Sequence, residues 1–456
     1  MLVILVQLGD RFRWVFCQLE ALRHCLPPSV RHTLDELPES LDETYERILK
    51  EIKKSNRDHA RRLLQCLVVA TRPLHVEELA EVLAVDFDEA DGIPKLNPSW
   101  RWEDQEHALL SSCSSLIAIV DTDDSRDVQF SHFSVKEFLT SSRLATSSGA
   151  ISCYHITLEP AHVTLAQACL GILLQLGDLV DRDHESSSPL ANYSAEYWVH
   201  HAQFENVASQ LHIAMQRLFD PGQSYFEAWL RVYNLDRRIP RTSPFKLFCT
   251  FTGPKPTPLY YASLCGFHDL VKSLVVKYPQ HVGASCGFYL SPLVAALAGK
   301  HFRTAQLLRD NGADPDIRGK MMRTPLHSAA YYGKLKVVQK LIELGADVNA
   351  RDEFGRTPLF NASEGINLED GDVIPLLVES GADVNARAKG GSTPLHGALC
   401  FGSVKTARLL LEYGANVEVK DDQGRTLTQV GWARHSTEMM EMLSECRAKR
   451  EHSSNR

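Results

Sequence analysis

The stretch TPLHSAAYYGKLKVVQKLIELGADVNARDEFGR, residues 324–356, contains two short helical patterns and a polar hairpin. Thr324 can cap a helix whose first position is Pro325, where the missing backbone N–H removes no helical hydrogen bond. Gly333 allows the turn into a second helix, and Gly345 ends that helix. The second helix carries an apolar face formed by Val337, Val338, Leu341 and Ile342. The pattern predicts a helix–turn–helix unit followed by a polar hairpin.

The same unit returns along the second half of the chain. It starts at Thr257, Ser291, Thr324, Thr357 and Thr393, with successive separations of 34, 33, 33 and 36 residues, and a degenerate copy starts at Thr426. The unit resembles the ankyrin repeat, which has a period of about 33 residues and the signature TPLHxA. One such unit cannot bury its apolar face alone, so we expect a stack of units.

Two copies depart from the pattern. The fourth carries three extra residues in the acidic segment EGINLEDGD, residues 364–372, and Pro375 then falls in its second helix. Proline is tolerated there if the helix starts near Asp372, because position 375 then belongs to the first turn. The last copy loses its proline and histidine, as expected of a terminal cap. His327 and His396 occupy the signature position and are expected to hydrogen-bond neighbouring turns.

The segment GASCG, residues 283–287, matches the nucleophile elbow GxSxG with Ser285 in the nucleophile place. That elbow must follow a buried strand and open a helix, whereas YPQHV precedes Ser285 and the next repeat follows closely. We therefore expect an inter-repeat loop. No HExxH or similarly spaced metal motif occurs in the sequence.

Composition narrows the class of protein. The 456 residues carry 44% hydrophobic and 23% charged residues, which is ordinary for a folded protein of about three domains. A formal charge of −8 argues against nonspecific binding to nucleic acid or anionic membranes. Eleven scattered cysteines without a CxxC pair favour a reducing compartment. The opening MLVILVQL is too short for a membrane span and lacks the features of a signal peptide.

The first half predicts a winged helix. Three helical patterns, at 58–70, 75–86 and 102–113, precede two β runs, SLIAIV and VQFSH, joined by the turn-rich DTDDSRD. Residues 58–143 contain 16 acidic and 8 basic residues, and the third helix has Glu103, Asp104 and Glu106 beside a single Arg101. A DNA-reading helix needs the opposite balance, so we expect no nucleic-acid partner.

Several segments together resemble fungal NACHT-type signalling NTPases of the STAND class, many of which end in ankyrin repeats. They are WVFCQLEALRHCLPP (14–28), LPESLDETYERIL (37–49), RPLHVEELAEVLAVD (72–86) and FSHFSVKEFL (130–139). The winged helix is similar to the one named after GPI inositol-deacylase, a label that implies no deacylase activity. In this family a histidine in the FxHxSxxEFL context can contact the phosphates of bound ADP, which makes His132 the matching nucleotide-sensor position. The alternative is a histidine satisfied by the hairpin and the helix start.

The phosphate-binding loop of that family is missing from the sequence. No GxxxxGK[ST] occurs, and the Gly-Lys pairs at 299, 319 and 333 are followed by His, Met and Leu. Without that loop the chain is expected not to bind nucleotide in the family's manner, and the sensor at His132 is expected to be idle. MLVILVQLGDR also replaces the family's lead-in, so we expect a truncated product or a gene model that begins too late.

The resemblance and the periodicity give a domain plan. It comprises a remnant of the helical end of a NACHT module (1–55), a winged helix (56–145), a helical connector (146–240), a linker (241–256), ankyrin repeats with about five units and a cap (257–450), and a polar tail (451–456). In the connector, 158–176 and 194–204 read as helices, and Trp198, His200 and His201 are expected to pack rather than to bind metal.

These observations predict a mainly α, non-enzymatic interaction protein without cofactor or metal, in the cytoplasm, with the nucleus left open. The rival hypothesis is the C-terminal part of a complete NACHT signalling ATPase. A protein partner is expected to bind the hairpin tips and the concave helix face. The tip charges expected to meet that partner alternate in sign along the stack: Asp352 and Glu353, then Arg387 and Lys389, then Asp421 and Asp422.

Overall fold

The computed structural model describes residues 40–88, 92–122, 125–147, 150–179, 188–238, 255–365, 373–401, 403–430 and 441–445. The chain divides into two compact units, Met1–Asn234 and Leu235–Arg456. The described part of each unit is mainly helical, which confirms the predicted fold class. The NACHT remnant up to residue 39, the linker residues 241–254 and the tail 451–456 lie outside the described residues.

The first unit contains the winged helix. A leading helix α1 (Leu41–Glu51) precedes the three predicted helices, and the elements follow in the order α2 (Arg57–Val69), β1 (Leu74–His75), α3 (Val76–Val82), β2 (Val85–Asp86), β3 (Lys95–Leu96), α4 (Gln105–Cys113), β4 (Ile117–Asp121) and β5 (Arg126–Phe130). Strands β4 and β5 form the predicted antiparallel hairpin, and β1 pairs with the other edge of β5. The helix predicted at 75–86 ends at Val82, because Val85 and Asp86 form strand β2 and pair with β3 instead.

The winged-helix core follows from apolar spacing. In α2, Ala60, Leu63, Leu64 and Val68 recur at helical intervals and are all buried. Leu109 of α4 and Val128 of β5 are buried as well. The side-chain oxygen of Ser40 accepts from the backbone N–H of Glu43 at 3.2 Å and so caps α1.

The helical connector follows directly. After α5 (Phe133–Leu139) and α6 (Ser142–Thr146), which end the winged-helix range, its helices are α7 (Leu158–Leu179), α8 (Ala191–Ala202), α9 (Val207–Gln210), α10 (His212–Leu218) and α11 (Tyr225–Val232). Both helices predicted here are present, as α7 and α8. Trp198 of α8 and Trp229 of α11 are fully buried, with ring centroids 5.4 Å apart. The Trp229 indole N–H donates to the carbonyl of Ala195 at 2.9 Å, which satisfies its polar atom.

The second unit is a stack of helix pairs. The pairs are α12 (Pro258–Cys265) with α13 (His268–Lys277), α14 (Pro292–Ala298) with α15 (Phe302–Asp310), α16 (Pro325–Tyr331) with α17 (Leu335–Glu343), α18 (Pro358–Ser363) with α19 (Val373–Glu379), and α20 (Pro394–Phe401) with α21 (Val404–Glu412), and the short α22 (Leu427–Val430) follows them. Leu326, Leu341 and Leu359 are fully buried between neighbouring pairs.

The repeat signature accounts for how each pair begins. Proline stands at the first position of α12, α14, α16, α18 and α20. The Thr357 hydroxyl accepts from the Phe360 N–H at 3.3 Å, and Thr257 and Ser291 cap their helices in the same way. Helix α19 begins at Val373, so Pro375 lies in its first turn as predicted. Most of the acidic insertion, residues 366–372, lies outside the described residues.

Across the described residues, no helix is both long enough and apolar enough to cross a membrane.

Candidate functional site

The hairpin tips of the second unit are joined into a continuous row. Three backbone hydrogen bonds connect successive tips, from the N–H of Glu353 to the carbonyl of Met321 at 2.8 Å, from Lys389 to Phe354 at 2.8 Å, and from Asp422 to Gly390 at 3.0 Å. Each tip therefore holds the next one in register, and the tips form one surface rather than independent loops.

An arginine ladder reinforces this row. The guanidinium of Arg318 donates to the carbonyl of Arg351 at 2.6 Å, and Arg351 donates to the carbonyl of Arg387 at 2.7 Å. Arg387 in turn donates to the carbonyl of Lys420 at 3.1 Å. In each case an arginine guanidinium donates to the backbone carbonyl at the equivalent position of the next unit. Arg387 is thus fixed by the carbonyl of Lys420.

Asp352 does not present its charge at the tip, so that prediction is wrong. The residue is 5% exposed, and its carboxylate accepts from the backbone N–H groups of Phe354 and Arg356, both at 2.9 Å. Asp421 is likewise 5% exposed and accepts from two N–H groups of its own hairpin at 2.9 and 2.8 Å. Both carboxylates close their hairpins, because an Asp side chain is short enough to reach the backbone two to four residues ahead.

The other four candidate side chains are exposed. Arg387 and Asp422 approach each other at 3.1 Å across neighbouring tips, and an ion pair between exposed groups leaves little net charge for a partner. Glu353 and Lys389 retain the exposure that the sequence predicts. The predicted alternation of sign therefore loses Asp352 and Asp421 but keeps the exposed Glu353 and Asp422, and the binding of a partner by these charges stays a prediction.

Apolar side chains at the tips were not foreseen from the sequence. Met322 is 54% exposed, Phe354 is 42% exposed, and Met321 is also exposed. Both methionines have left-handed backbone conformations, with φ of 58° and 56°, which β-carbon-bearing residues rarely adopt. The sequence does contain a signal for them, because apolar residues stand inside otherwise polar hairpins in GKMMR and DEFGR.

The signature histidines behave largely as predicted. His327 accepts from the Thr324 N–H at 3.1 Å and contacts the carbonyl of Arg356 in the next hairpin at 3.0 Å. Burial lowers the pKa of His327 to about 4, which keeps the ring neutral. His396 makes the corresponding contact with Thr393 at 3.1 Å, but its second ring nitrogen has no hydrogen-bond partner in the described part of the chain. The expected link to the next turn is therefore confirmed for His327 and absent for His396.

Ser285 lies in an exposed loop between repeats, as predicted, and no strand leads into it. Gly287 of the same motif has φ of 67°, and a β-carbon there would lie 2.5 Å from the ring of Tyr260. The second glycine of GASCG is thus required by backbone conformation and close packing.

His132 is the N-cap of α5. Its Nδ1 accepts from the Ser134 N–H at 3.3 Å and lies 2.6 Å from the Ser134 hydroxyl oxygen, which is 2.9 Å from the Tyr45 hydroxyl. The ring also lies 4.2 Å from that of Phe133. This geometry supports the alternative of a histidine satisfied at the helix start, and the nucleotide-sensor role stays a prediction.

A buried polar cluster in the first unit escaped the sequence analysis. His162 of α7 and His201 of α8 lie 2.9 Å apart, and His201 is 3.0 Å from the Tyr193 hydroxyl. That hydroxyl accepts from the Thr71 N–H at 3.2 Å. Trp198 and His201 are packed as predicted, whereas His200 is exposed, so the packing prediction is wrong for that residue.

No group of three or more metal-ligating side chains is placed to hold an ion among the residues that the structure describes.

Comparison with known proteins agrees with both halves of this description. Residues 45–152 match the family described as "GPI inositol-deacylase, winged helix domain". Three overlapping matches to "Ankyrin repeats" cover 259–352, 326–421 and 359–450.

One curated relative is the "Azaphilone pigments biosynthesis cluster protein L" of Monascus ruber. It is 32% identical over 297 residues, which are 62% of this chain and 61% of the relative. The chain thus matches about three fifths of the length of that relative. Taken with the family matches, the fold establishes that the chain carries ankyrin repeats and a winged-helix domain like that of GPI inositol-deacylase.

Proposed function

We propose that the protein is a non-enzymatic interaction protein whose ankyrin stack binds a protein partner through the hairpin tips and the concave helix face. The observation that carries this proposal is the row of tips joined by backbone hydrogen bonds from Met321 to Asp422. Such a row offers a partner a preformed surface, so little conformational entropy is lost on binding. Tyr331 of α16 is partly exposed and Phe401 of α20 is 51% exposed, on the first helices that form the proposed concave face.

The first unit is proposed to regulate this binding as the remaining part of a fungal NACHT-type protein. The winged-helix match and the fungal relative support that origin. His132, which caps α5 beside Ser134, is proposed to be the residue at the family's sensor position. This unit is proposed to act on the ankyrin stack by packing, without nucleotide turnover.

Site-specific photo-crosslinking tests the proposal. A benzophenone amino acid is placed in the full chain at Phe354 on a tip, at Trp102 on the winged helix, or at Val276, which is 79% exposed on α13. We expect a protein adduct from position 354 and none from 276. Adducts from position 102 alone would move the interaction surface to the winged helix, and the absence of a protein adduct from position 354 would contradict the proposal.

A second candidate is a complete signalling ATPase of which this chain is the C-terminal part, and the winged-helix domain at 45–152 favours it. The first proposal expects the purified chain to show no ATP hydrolysis and no thermal shift with ADP and magnesium. Saturable ADP binding that His132→Ala weakens would favour the second candidate. An in-frame GxxxxGK[ST] in transcript sequence upstream of Met1 would favour it as well.

A further inference from the structure

The four consecutive hairpin tips, residues 318–323, 351–356, 387–392 and 420–425, are here called the tip strip. The tip strip holds nine basic residues and four acidic ones, although the whole chain has a formal charge of −8. Its sign is therefore opposite to that of the protein that carries it. Such local charge reversal concentrates a partner of complementary charge.

The folded structure keeps this imbalance, because three of the four acids each pair with one cation of the tip strip: Asp352 with Arg323, Asp421 with Arg425 and Asp422 with Arg387. Asp352 and Asp421 are also buried in their own hairpins. Glu353 is the remaining acid, and it is exposed.

Five exposed cations of the tip strip have no carboxylate partner within the described part of the chain. The guanidinium groups of Arg318 and Arg351 donate to backbone carbonyls and form no ion pair with a described carboxylate, although Arg318 acts electrostatically on the nearby Asp316. Lys320, Lys389 and Lys420 extend into solvent, and none of the described carboxylates lies within ion-pair distance of their ammonium groups. The cations are distributed over all four tips, so they follow the direction of the stack.

One end of the tip strip is apolar as well. Met321, Met322 and Phe354 are exposed on two adjoining tips, and the left-handed φ values of both methionines store backbone strain that the surrounding turn must hold. Exposed, flexible methionines beside an aromatic ring are common on surfaces that bind apolar side chains.

We propose that the tip strip binds an acidic peptide segment of a partner protein, with apolar side chains at the end that meets Met322 and Phe354. This proposal rests on the proposed function and names the chemistry of its partner. A polypeptide is favoured over a nucleic acid because a single chain supplies both carboxylates and aliphatic side chains. Recognition proceeds through side chains rather than by strand addition, since backbone N–H groups of Glu353, Lys389 and Asp422 already donate to the neighbouring tips.

The first experiment selects binders from a displayed library of random peptides with the full chain. We expect enrichment of peptides rich in Asp and Glu that carry Leu, Ile, Phe or Met at one end. Enrichment of neutral or basic peptides, or no enrichment, would overturn the inference. Single-stranded DNA and anionic vesicles serve as competitors, and displacement of the peptide by DNA at equal charge would show a general polyanion site instead.

Fluorescence anisotropy of a selected peptide then compares matched variants. Lys320→Glu with Lys389→Glu reverses two exposed cations of the tip strip, and we expect the Kd to rise about tenfold or more, with a weaker dependence on salt. The double variant Met322→Ser with Phe354→Ser removes the apolar contacts and should raise the Kd by a similar factor. The control, Lys336→Glu with Lys405→Glu, makes the same charge change at exposed positions on α17 and α21 and should leave the Kd within about twofold.

Equal weakening by the test and control pairs would contradict a site at the tip strip, because it would indicate a general charge effect. The outcome also separates this inference from the proposed function. A protein adduct at position 354 whose contacting segment is not acidic would leave the stack as a binding surface and remove the acidic partner. Hydrogen exchange of each variant checks that the fold is intact.

Discussion

The winged-helix unit and the ankyrin unit differ in how far apart in sequence the partners of their hydrogen bonds lie. In the ankyrin unit Arg318 reaches Arg351, 33 residues away, and the arrangement recurs along the stack. In the first unit Thr71 donates to Tyr193, 122 residues away, and Ser188 to Glu81, 107 residues away. The repeated contacts belong to nearest neighbours, so stability should be shared between adjacent repeats, whereas the first unit depends on a few long-range groups.

The largest expected effect lies in the first unit, at Glu81. Its buried carboxylate pairs with Arg101 and accepts from the Ser188 hydroxyl at 2.7 Å and the Leu190 N–H at 3.1 Å. Glu81→Ala leaves these groups without their acceptor and should lower the free energy of unfolding by about 3 to 5 kcal/mol. Glu77→Ala, an exposed neighbour on α3, is the control and should cost less than about 0.5 kcal/mol. Urea denaturation measures both, and equal costs would show that the long-range contacts carry no special stability.

In the ankyrin unit the corresponding test is Leu341→Ala. Leu341 is fully buried between neighbouring helix pairs, so its truncation should cost roughly 2 to 5 kcal/mol. Val276→Ala on the exposed face of α13 should have almost no effect. Hydrogen exchange should speed up in the adjacent repeats as well as in α17, since the repeats are coupled through their interfaces. Faster exchange confined to residues 335–344 would contradict the claim that adjacent repeats share their stability.

Acid should weaken the first unit through its histidine pair. Burial, then the neighbouring His200, lowers the pKa of His162 to about 4; burial, then His162, lowers that of His201 to about 3, against an ordinary value of 6.5. The unfolded chain therefore binds more protons below about pH 6.5, so the unfolding free energy should fall by a few kcal/mol between pH 6.5 and pH 4 and stay level above that range.

Tryptophan fluorescence during denaturation follows this loss, because Trp198 and Trp229 are buried in the first unit. The double variant His162→Gln with His201→Gln should flatten the dependence on pH. An unchanged slope would show that other groups cause the acid sensitivity.

The smallest effect is expected at the tips, where two adjacent glycines provide a matched pair. Gly390 and Gly391 both have positive φ, and open space surrounds a β-carbon at Gly390. A β-carbon at Gly391 would instead meet Arg387 and Asp422, at 2.7 Å from the Asp422 nitrogen. Alanine should cost about 1 kcal/mol at Gly390 from backbone strain alone and about 1 to 2 kcal/mol more at Gly391. Equal costs would show that contacts between the tips add nothing to the stack.

The period of the repeat made the helix pairs, the capping threonines and the position of Pro375 predictable, because each depends on local sequence. The burial of Asp352 beside the exposed Glu353 was harder to foresee, since both are acidic residues of one polar hairpin. The two hairpins that bury their aspartate share the pattern DxxGR, in DEFGR and DDQGR, and ARAKGGS lacks it. That pattern is a usable signal for an Asp that closes its own turn.

No comparable signal exists in the first unit. Glu78 and Glu81 are buried and pair with Arg72 and Arg101, yet on an amphipathic helix they read as ordinary surface acids. Arg72 lies only six residues from Glu78, whereas Glu81 meets Arg101, 20 residues away, and Ser188, 107 residues away, which a single sequence does not bring together. The same holds for His162 and His201, whose contact depends on how α7 packs on α8.

Hydrogen exchange of the full chain with and without a bound acidic peptide tests the assignment of binding to the ankyrin tips most directly. The peptide is one selected from the displayed library. The expected result is slower exchange at residues 318–323, 351–356, 387–392 and 420–425, with no change between residues 57 and 145. Slower exchange within residues 57–145 and none at the tips would contradict that assignment and place the binding surface on the winged helix.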